Sequence, residues 1–511
     1  MLNLFQAHQR QSQAALPISV QDCPPTDPPS YKHRWTQLFS HEEHVPWSEE
    51  LARETFAIDL PAKSTAATFQ PRHRVRCKPP CARSGHTALW VEGMQSVVVY
   101  GGSGNLPQGL TFNTVYQIHI PSGQWYELVC SGPKPPPTFG HTANLLKGGR
   151  KMFVYGGQAD SRVTGGHAYY LDLEACRWTS TELSRGTVTN NQIPECEVRR
   201  WGHSMSELPG ATNKFLLFAG MTEMMARNDL LVIDCNNNTI RRFMMRNGGV
   251  EPAPRRRHTA CIYRESFLIV FGGRNISRFF GDLWILKMDG DSAWIPVNAN
   301  TSPSAMRRVF NGEPLSPDNS ILPHRVMAAS PPSIPACART GHSAVLKDHI
   351  MYIANGFLEN LENLFDDLLA YDILNNQWTI ISVNGESGYR PPLASGNDMA
   401  SRRVGPTKRS MSTMTLIPRK DDELRLLFLG GRNDVSFADG YSLHIERWTP
   451  SLLRCVAQFM VDSGLADIDH RTKVGTHNEA VPRYLNSLIS ELGGAAQGSV
   501  LLSTSSLSAV G

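Results

Sequence analysis

The chain has 511 residues, of which 41% are hydrophobic and 19% are charged, so it holds enough apolar material for a large core. Its formal net charge of +4 is too small to indicate a polyanionic partner such as nucleic acid. No run of about 18 apolar residues is present, and the first residues lack the pattern of a secretory signal. The ten cysteines show no zinc-binding spacing, so we expect a soluble cytoplasmic or nuclear protein with free thiols.

Six segments of the sequence share one order of features. Each begins with His or a small polar residue, passes through an apolar strand to a Gly-Gly pair, and ends after another strand at Trp. Between 36 and 39 residues separate the opening residue of a segment from its closing residue. In chain order the segments lie near residues 83–125, 138–178, 200–240, 256–294, 339–378 and 408–448. Such constant spacing predicts a repeat architecture.

The repeats depart from their common pattern at a few positions. Ala219-Gly220 and Asn355-Gly356 stand where the other repeats have Gly-Gly, Ser412 replaces the His of the sixth repeat, and Ile240 stands where Trp is expected in the third. Five repeats carry the His, at positions 86, 141, 203, 258 and 342. One His per repeat is spread around a ring instead of converging, so we interpret them as structural hydrogen-bonding residues and expect no metal and no cofactor.

The pattern resembles the kelch repeat over about residues 80–450. The resemblance implies an all-β fold, a six-bladed kelch β-propeller of four-stranded blades, occupying residues 31–449 after a flexible tail at 1–30. One of two earlier segments, 34–39 (RWTQLF) or 56–60 (FAIDL), is expected to supply the strand that closes the ring. Long insertions at 295–338 and 382–407 are either binding loops or loops without function.

The pattern changes after Trp448. Residues 450–464 and 481–492 each contain an early Pro and apolar residues at helical spacing, which predicts a short C-terminal helical appendage before a flexible tail at 493–511. The arrangement is similar to the Elongin-binding and Cullin-binding boxes of substrate receptors for Cullin-2 ubiquitin ligases. That resemblance implies contacts with Elongin B/C and Cullin-2 through Leu452, Leu453, Val456, Pro482 and Leu485. An ordinary pair of helices that caps the propeller is the alternative.

A kelch propeller followed by such boxes resembles the receptors that recognise C-terminal degrons. The resemblance implies that Arg274, Arg278 and Ser343 hold the terminal carboxylate of a substrate, for which the arginine fork is well suited. A kelch interaction scaffold without a ubiquitin-ligase role is the competing hypothesis. The sequence has no nucleophile elbow, P-loop or HExxH segment, so we predict a protein-binding chain that is not an enzyme.

Overall fold

The structure is a computed structural model, and it describes residues 33–40, 48–56, 67–105, 110–159, 162–188, 191–245, 249–288, 292–298, 301–311, 338–361, 363–382, 405–418 and 424–445. These residues belong to one compact unit, Tyr31–Arg447. A second unit, Met1–Ser30 with Trp448–Gly511, lies outside the described residues. The predicted tails and the predicted C-terminal helix pair at 450–492 therefore lie outside them too, as do most residues of the two insertions.

The first described strand, β1 (His33–Ser40), is followed by the strands of six blades in chain order. Blades 1 and 2 contain β2 Arg74–Cys77, β3 Thr87–Val91, β4 Ser96–Tyr100, β5 Val115–His119, β6 Gln124–Leu128, β7 Thr142–Leu145, β8 Lys151–Tyr155, β9 Gln158–Ala159, β10 Arg162–Val163, β11 His167–Asp172 and β12 Arg177–Glu182. The next stretch and blades 3 and 4 contain β13 Ser184–Arg185, β14 Thr187–Val188, β15 Asn191–Gln192, β16 Ser204–Glu207, β17 Lys214–Met221, β18 Ala226–Asp234, β19 Thr239–Arg242, β20 Thr259–Tyr263, β21 Phe267–Phe271, β22 Leu283–Lys287 and β23 Ala293–Val297. Blades 5 and 6 contain β24 Ser343–Lys347, β25 Ile350–Ala354, β26 Leu368–Asp372, β27 Gln377–Ser382, β28 Thr413–Ile417, β29 Leu424–Leu429 and β30 Asp439–Ile445.

The blades form a closed ring around an axis. The first strands of successive blades (β3, β7, β16, β20, β24 and β28) lie against one another, and β28 meets β3 to complete the circle. Every residue of the second strands β4 and β21 is buried, because a neighbouring blade covers each face of the sheet. These strands are therefore continuous apolar runs and not alternating ones. The predicted six-bladed kelch propeller is confirmed.

Six hydrophobic clusters hold the ring together, one between each pair of neighbouring blades. Between blades 2 and 3, for example, Phe153 and Tyr155 pack with Phe215 and Leu217. The closing Trp of a repeat belongs to such a cluster: the ring of Trp178 in blade 2 lies 5.4 Å from that of Tyr100 in blade 1. Since each blade buries both of its faces, the propeller has no single central core.

The ring is closed by β1, which is the fourth strand of blade 6 and pairs with β30. This confirms residues 34–39 as the closing strand, whereas Phe56, the first residue of the other candidate, ends a helix. Trp35 lies opposite Leu443, as Trp294 of blade 4 lies opposite Leu286. Trp35 therefore occupies the position that the repeat pattern assigned to Trp448, a residue outside the described part of the chain.

The described helices are short. They are α1 Glu49–Phe56, a 3₁₀ turn at Glu92–Met94, α2 Glu195–Val198 and α3 Pro303–Phe310. Helix α3 lies in the predicted insertion 295–338 and begins at Ser302, whose hydroxyl accepts the N–H of Ala305 at 3.2 Å. Its apolar side chains, including Met306 and Phe310, join the cluster between blades 4 and 5. In the described part of the chain, no helix has the length and apolar character needed to cross a membrane.

Candidate functional site

The five repeated histidines link neighbouring blades. Each imidazole Nε2 shares a hydrogen bond of 2.8 to 3.1 Å with a hydroxyl of the preceding blade. The pairs are His86–Thr413, His141–Thr87, His203–Thr142, His258–Ser204 and His342–Thr259. Burial lowers the pKa of each of them far below its ordinary value, to about 3 for all but His258, so the rings are neutral near pH 7. The predicted structural role is confirmed.

The repeated arginine three residues before the His is also structural. In four blades it is buried and forms two hydrogen bonds of 2.6 to 2.8 Å with the carboxylate of an aspartate. The pairs are Arg200–Asp229, Arg255–Asp282, Arg339–Asp367 and Arg409–Asp439. In blade 1 the residue at the aspartate position is Thr114, and the equivalent Arg83 donates to the carbonyl oxygens of Cys81 at 3.2 Å and Gly101 at 3.0 Å. Desolvation lowers the pKa of this guanidinium. These arginines position the strands and are not available to a ligand.

A ring of backbone hydrogen bonds surrounds the axis of the propeller at the end where the repeats begin. Its members are the residues directly before each His or Ser412, all with φ between 54° and 65°: Gly85, Gly140, Gly202, Arg257, Gly341 and Met411. The N–H of each donates to the carbonyl oxygen of its counterpart in the preceding blade, and six bonds of 2.7 to 3.0 Å close the circle. The left-handed backbone explains why four members are glycine. At this level the axis of the propeller is therefore surrounded by backbone.

Four arginines meet around this ring. In every blade the residue before the ring member pairs with the residue after the glycine pair, and in blade 4 both are arginines, Arg256 and Arg274. Arg257 is a member of the ring, and Arg432 follows the glycine pair of blade 6. Burial is the main cause that lowers the pKa of Arg257 to about 9, and the positive charges of the other three add to it. We call these four residues the arginine cluster.

Aromatic rings support the arginine cluster, and no carboxylate of the described residues neutralises it. The guanidinium carbons of Arg256 and Arg257 lie 4.6 and 4.9 Å from the centre of the Trp201 ring. The guanidinium carbon of Arg274 lies 4.8 Å from the ring centre of Phe279. Among the residues that the structure describes, none of the four forms an ion pair, and the Nε of Arg256 is buried without a hydrogen-bond acceptor. Such a site attracts an anion.

The three residues predicted to hold a carboxylate lie in different surroundings. Arg274 is half-buried in the arginine cluster, with its Nε donating to the carbonyl of Asn275 at 3.2 Å. Arg278 is exposed on the same loop, 5.9 Å from the ring centre of Phe280. Ser343 is buried at the start of β24, and its hydroxyl donates to the Ser412 carbonyl at 2.6 Å. The structure brings Arg274 together with other arginines but not with the Ser343 hydroxyl, and the binding role of the three residues stays a prediction.

The sequence interpretation missed Arg256, Arg257 and the contribution of Arg432. A signal was present, because the fourth repeat begins Arg256-Arg257-His258 where most repeats have a glycine before the residue at the His position. The predicted partner-binding residues Leu452, Leu453, Val456, Pro482 and Leu485 lie outside the described residues. Among the described residues, no group of three or more His, Cys, Asp or Glu side chains is placed to hold a metal ion.

Comparison with known proteins gives the family. The family model described as KLHDC2/KLHL20/DRC7 Kelch-repeats domain matches residues 54–192 and 85–311, which together span half of the chain. The chain belongs to this Kelch-repeat family. The propeller architecture seen here agrees with that assignment, and a Kelch propeller is a protein-interaction fold.

Curated relatives match parts of the propeller. Adagio-like protein 2 of Oryza sativa subsp. japonica is 32% identical over 236 residues, 43% of this chain and 34% of the relative. Host cell factor 1 of Homo sapiens is 30% identical over 247 residues, 45% of this chain and 11% of the relative. Dynein regulatory complex subunit 7 of Chlamydomonas reinhardtii is 30% identical over 96 residues, 19% of this chain and 8% of the relative. The match thus spans about a third or less of the length of these relatives.

Proposed function

We propose that this Kelch propeller binds a protein partner by its C-terminal carboxylate, held in the arginine cluster. The observation that carries the proposal is the convergence of Arg256, Arg257, Arg274 and Arg432 without a carboxylate among the described residues. Four like charges so close together repel one another, and a bound anion removes that repulsion. The planar fork of arginine forms two parallel hydrogen bonds with a carboxylate, which gives the contact direction as well as strength.

The ring of backbone hydrogen bonds supports the end of a chain as the ligand, in preference to an internal acidic segment. Arg257 belongs to that ring, so the arginines lie beside the backbone that surrounds the axis. An internal acidic segment that binds there needs room for the chain both to enter and to leave. A terminal carboxylate places its charge at the same point with a single entering chain. Trp201 and Phe279 supply apolar walls, which suits a site that fixes a peptide by a few polar contacts.

The experiment is a binding measurement with C-terminal peptides. Peptides selected from a C-terminal library are compared, by fluorescence polarisation, with the same sequences ending in an amide. We expect the free acid to bind and the amide to lose most of its affinity. Arg256→Ala and Arg274→Ala should each weaken binding about 10- to 100-fold, because each removes a hydrogen bond to a charged group. The exposed Arg34 on β1 offers the control variant Arg34→Ala, which should bind as the parent protein does.

Two further variants test the roles that the family resemblance assigned. Arg278→Ala and Ser343→Ala should weaken peptide binding if those side chains turn toward a bound carboxylate, although the Ser343 hydroxyl already donates to Ser412. Equal binding of acid and amide, together with unchanged affinity in the Arg256 and Arg274 variants, would overturn the carboxylate proposal.

We propose in addition that the chain is a substrate receptor of a Cullin-2 ubiquitin ligase in the cytoplasm or nucleus, without catalytic residues of its own. Sequence similarity of residues 450–492 to the Elongin-binding and Cullin-binding boxes supports this role. Purified full-length chain and a Leu452→Asp variant are tested for binding to Elongin B/C. Stoichiometric binding that the variant loses is the expected result. Absence of binding by the parent chain would leave the second candidate, a Kelch interaction scaffold, which the propeller fold alone supports.

A further inference from the structure

Blade 3 carries an extended hairpin at the end of the propeller that holds the arginine cluster. Its strands β17 and β18 continue past the Ala219-Gly220 pair, through a bulge, to Met221 and Ala226. The turn between them consists of residues 222–225, and two methionines at its tip face solvent. The exposed fraction is 76% for Met224 and 51% for Met225. Large apolar side chains displayed together on a hairpin tip indicate a contact surface.

The turn holds these methionines in a fixed position. Thr222 is buried, and its N–H and its hydroxyl both donate to the carbonyl of Met225 at 3.0 Å. The same hydroxyl accepts the N–H groups of Met224 at 3.3 Å and Met225 at 3.1 Å. A turn fixed by four hydrogen bonds loses little backbone freedom when a ligand docks on it, which favours binding.

Trp201 connects the hairpin to the arginine cluster. Its backbone exchanges two hydrogen bonds with Met221, the last residue of β17, at 2.9 and 3.0 Å. The guanidinium carbons of Arg256 and Arg257 lie 4.6 and 4.9 Å from the centre of its ring. One tryptophan thus borders both the cationic site and the base of the methionine-bearing turn, so the two surfaces are continuous.

We propose that Met224 and Met225 form an apolar subsite that selects ligands with a bulky apolar side chain a short distance upstream of the terminal carboxylate. The inference rests on the proposed function, because it requires the carboxylate to be held by the arginine cluster. The unbranched methionine side chain adapts to apolar groups of different shapes, so the subsite favours leucine, phenylalanine or methionine over serine or glycine without demanding one of them.

Charge decides between a peptide and a second copy of this chain as the occupant. A symmetric contact through the hairpin tips would bring two arginine clusters of the same charge close together, while the carboxylate of the turn, Glu223, already pairs with Arg199 at 3.8 Å. A peptide that ends in a carboxylate instead supplies the opposite charge beside the apolar contact. The subsite therefore suits an amphipathic chain end, apolar upstream and anionic at its terminus.

The test uses peptides that share one C-terminal residue and carry a single leucine at successive upstream positions, with an all-serine version as reference. For the parent protein, we expect one or two leucine positions to bind about 10-fold more tightly than the reference. The double variant Met224→Ser/Met225→Ser should lose this preference and bind the reference peptide unchanged. Met244→Ser is the matched control, because Met244 is 59% exposed but follows β19, which pairs with β18 on the side away from β17, and is not part of the turn.

The arms of the test separate the two proposals. Arg256→Ala should weaken the leucine and serine peptides by the same factor and leave the preference intact. If the arginine variant weakens both peptides but the methionine double variant keeps the full preference for leucine, the subsite is overturned and the carboxylate site stands. If the arginine variant binds both peptides as the parent does, the carboxylate site fails and the subsite that depends on it falls as well.

Discussion

Two departures from the repeat meet at the interface between blades 5 and 6. Ser412 stands where the other blades have His, and Asn355 stands where the preceding blade has the first glycine of the pair. In three other blades a Cβ at that glycine would lie 2.7 Å from the imidazole Cε1 of the next blade. The interface between blades 3 and 4 accommodates Ala219 at the position of this glycine. The longer side chain of asparagine needs the space that the imidazole would occupy. The amide of Asn355 fills it and donates to the Ser412 hydroxyl at 3.1 Å.

This pair should therefore behave as one unit in a double-mutant cycle. Ser412→His alone should destabilise the propeller, because the imidazole collides with Asn355. Asn355→Gly alone should also destabilise it, since the hydrogen bond is lost and a cavity opens. The double variant restores the arrangement of the other blades, so we expect a coupling energy of about 1–3 kcal/mol in guanidinium unfolding. Additive effects of the two substitutions would show that the residues are independent.

At the scale of elements, the decisive feature is the strand that closes the ring. Blade 6 takes three strands from its own repeat and the fourth, β1, from a segment that precedes the first repeat. Trp35 on this strand packs against Phe428 at 4.9 Å and Tyr441 at 6.5 Å between ring centres. Phe39 on the same strand reaches Trp125 of blade 1 at 6.0 Å. One strand thus fills the clusters on both sides of blade 6, which leaves the ring without a gap.

Truncation of Trp35 should accordingly weaken the whole propeller. We expect Trp35→Ala to lower the free energy of unfolding by about 3–5 kcal/mol, the usual cost of removing a large buried aromatic side chain. Arg34 is the neighbouring residue on β1 and is exposed, so Arg34→Ala should change stability by less than about 0.5 kcal/mol. Chemical unfolding followed by tryptophan fluorescence and circular dichroism measures both variants. A Trp35 variant as stable as the Arg34 variant would show that ring closure does not depend on this side chain.

For the whole molecule, the interfaces between blades determine stability, and five of the six contain a buried neutral histidine. Each imidazole shares its hydrogen bond with a hydroxyl and, within the described part of the chain, has no acidic partner that would favour the charged form. Burial therefore lowers the pKa of every one of them from the ordinary value of 6.5. Protonation of any of these histidines places a charge in an apolar contact between blades.

Acid should consequently unfold the propeller. Between pH 6.5 and about 3, the unfolded chain binds protons at these histidines and the folded chain does not. The free energy of unfolding is therefore highest above pH 6.5 and falls as the pH is lowered through this range. The loss approaches about 1.4 kcal/mol per pH unit for each histidine. The denaturant midpoint should drop steeply between pH 6 and pH 4.5, and His203→Asn should show a shallower slope by one proton. A midpoint that stays level over this range would contradict the assignment.

Local sequence determined the repeat units and the fold that they form. The six units, their glycine pairs and the structural histidines could be predicted, because each is a pattern within about forty residues that recurs along the chain. The closing strand could only be narrowed to two segments, of which the structure selects 34–39. By resemblance to known receptors, the sequence could also name Arg274 as a candidate contact, and its binding role stays a prediction. The repeat pattern placed both Trp35 and Trp448 near a strand, but a pattern within one repeat cannot show which strand crosses the ring to complete a blade.

Only the tertiary structure decided which residues act together. Arg256, Arg274 and Arg432 belong to two different blades, and they meet because the ring turns the start of every repeat toward the same axis. The compensation between Asn355 and Ser412, 57 residues apart, and the place of Trp201 between the arginines and the methionine turn arise in the same way. The sequence specifies each blade through local periodicity, whereas contacts between blades depend on the geometry of the closed ring.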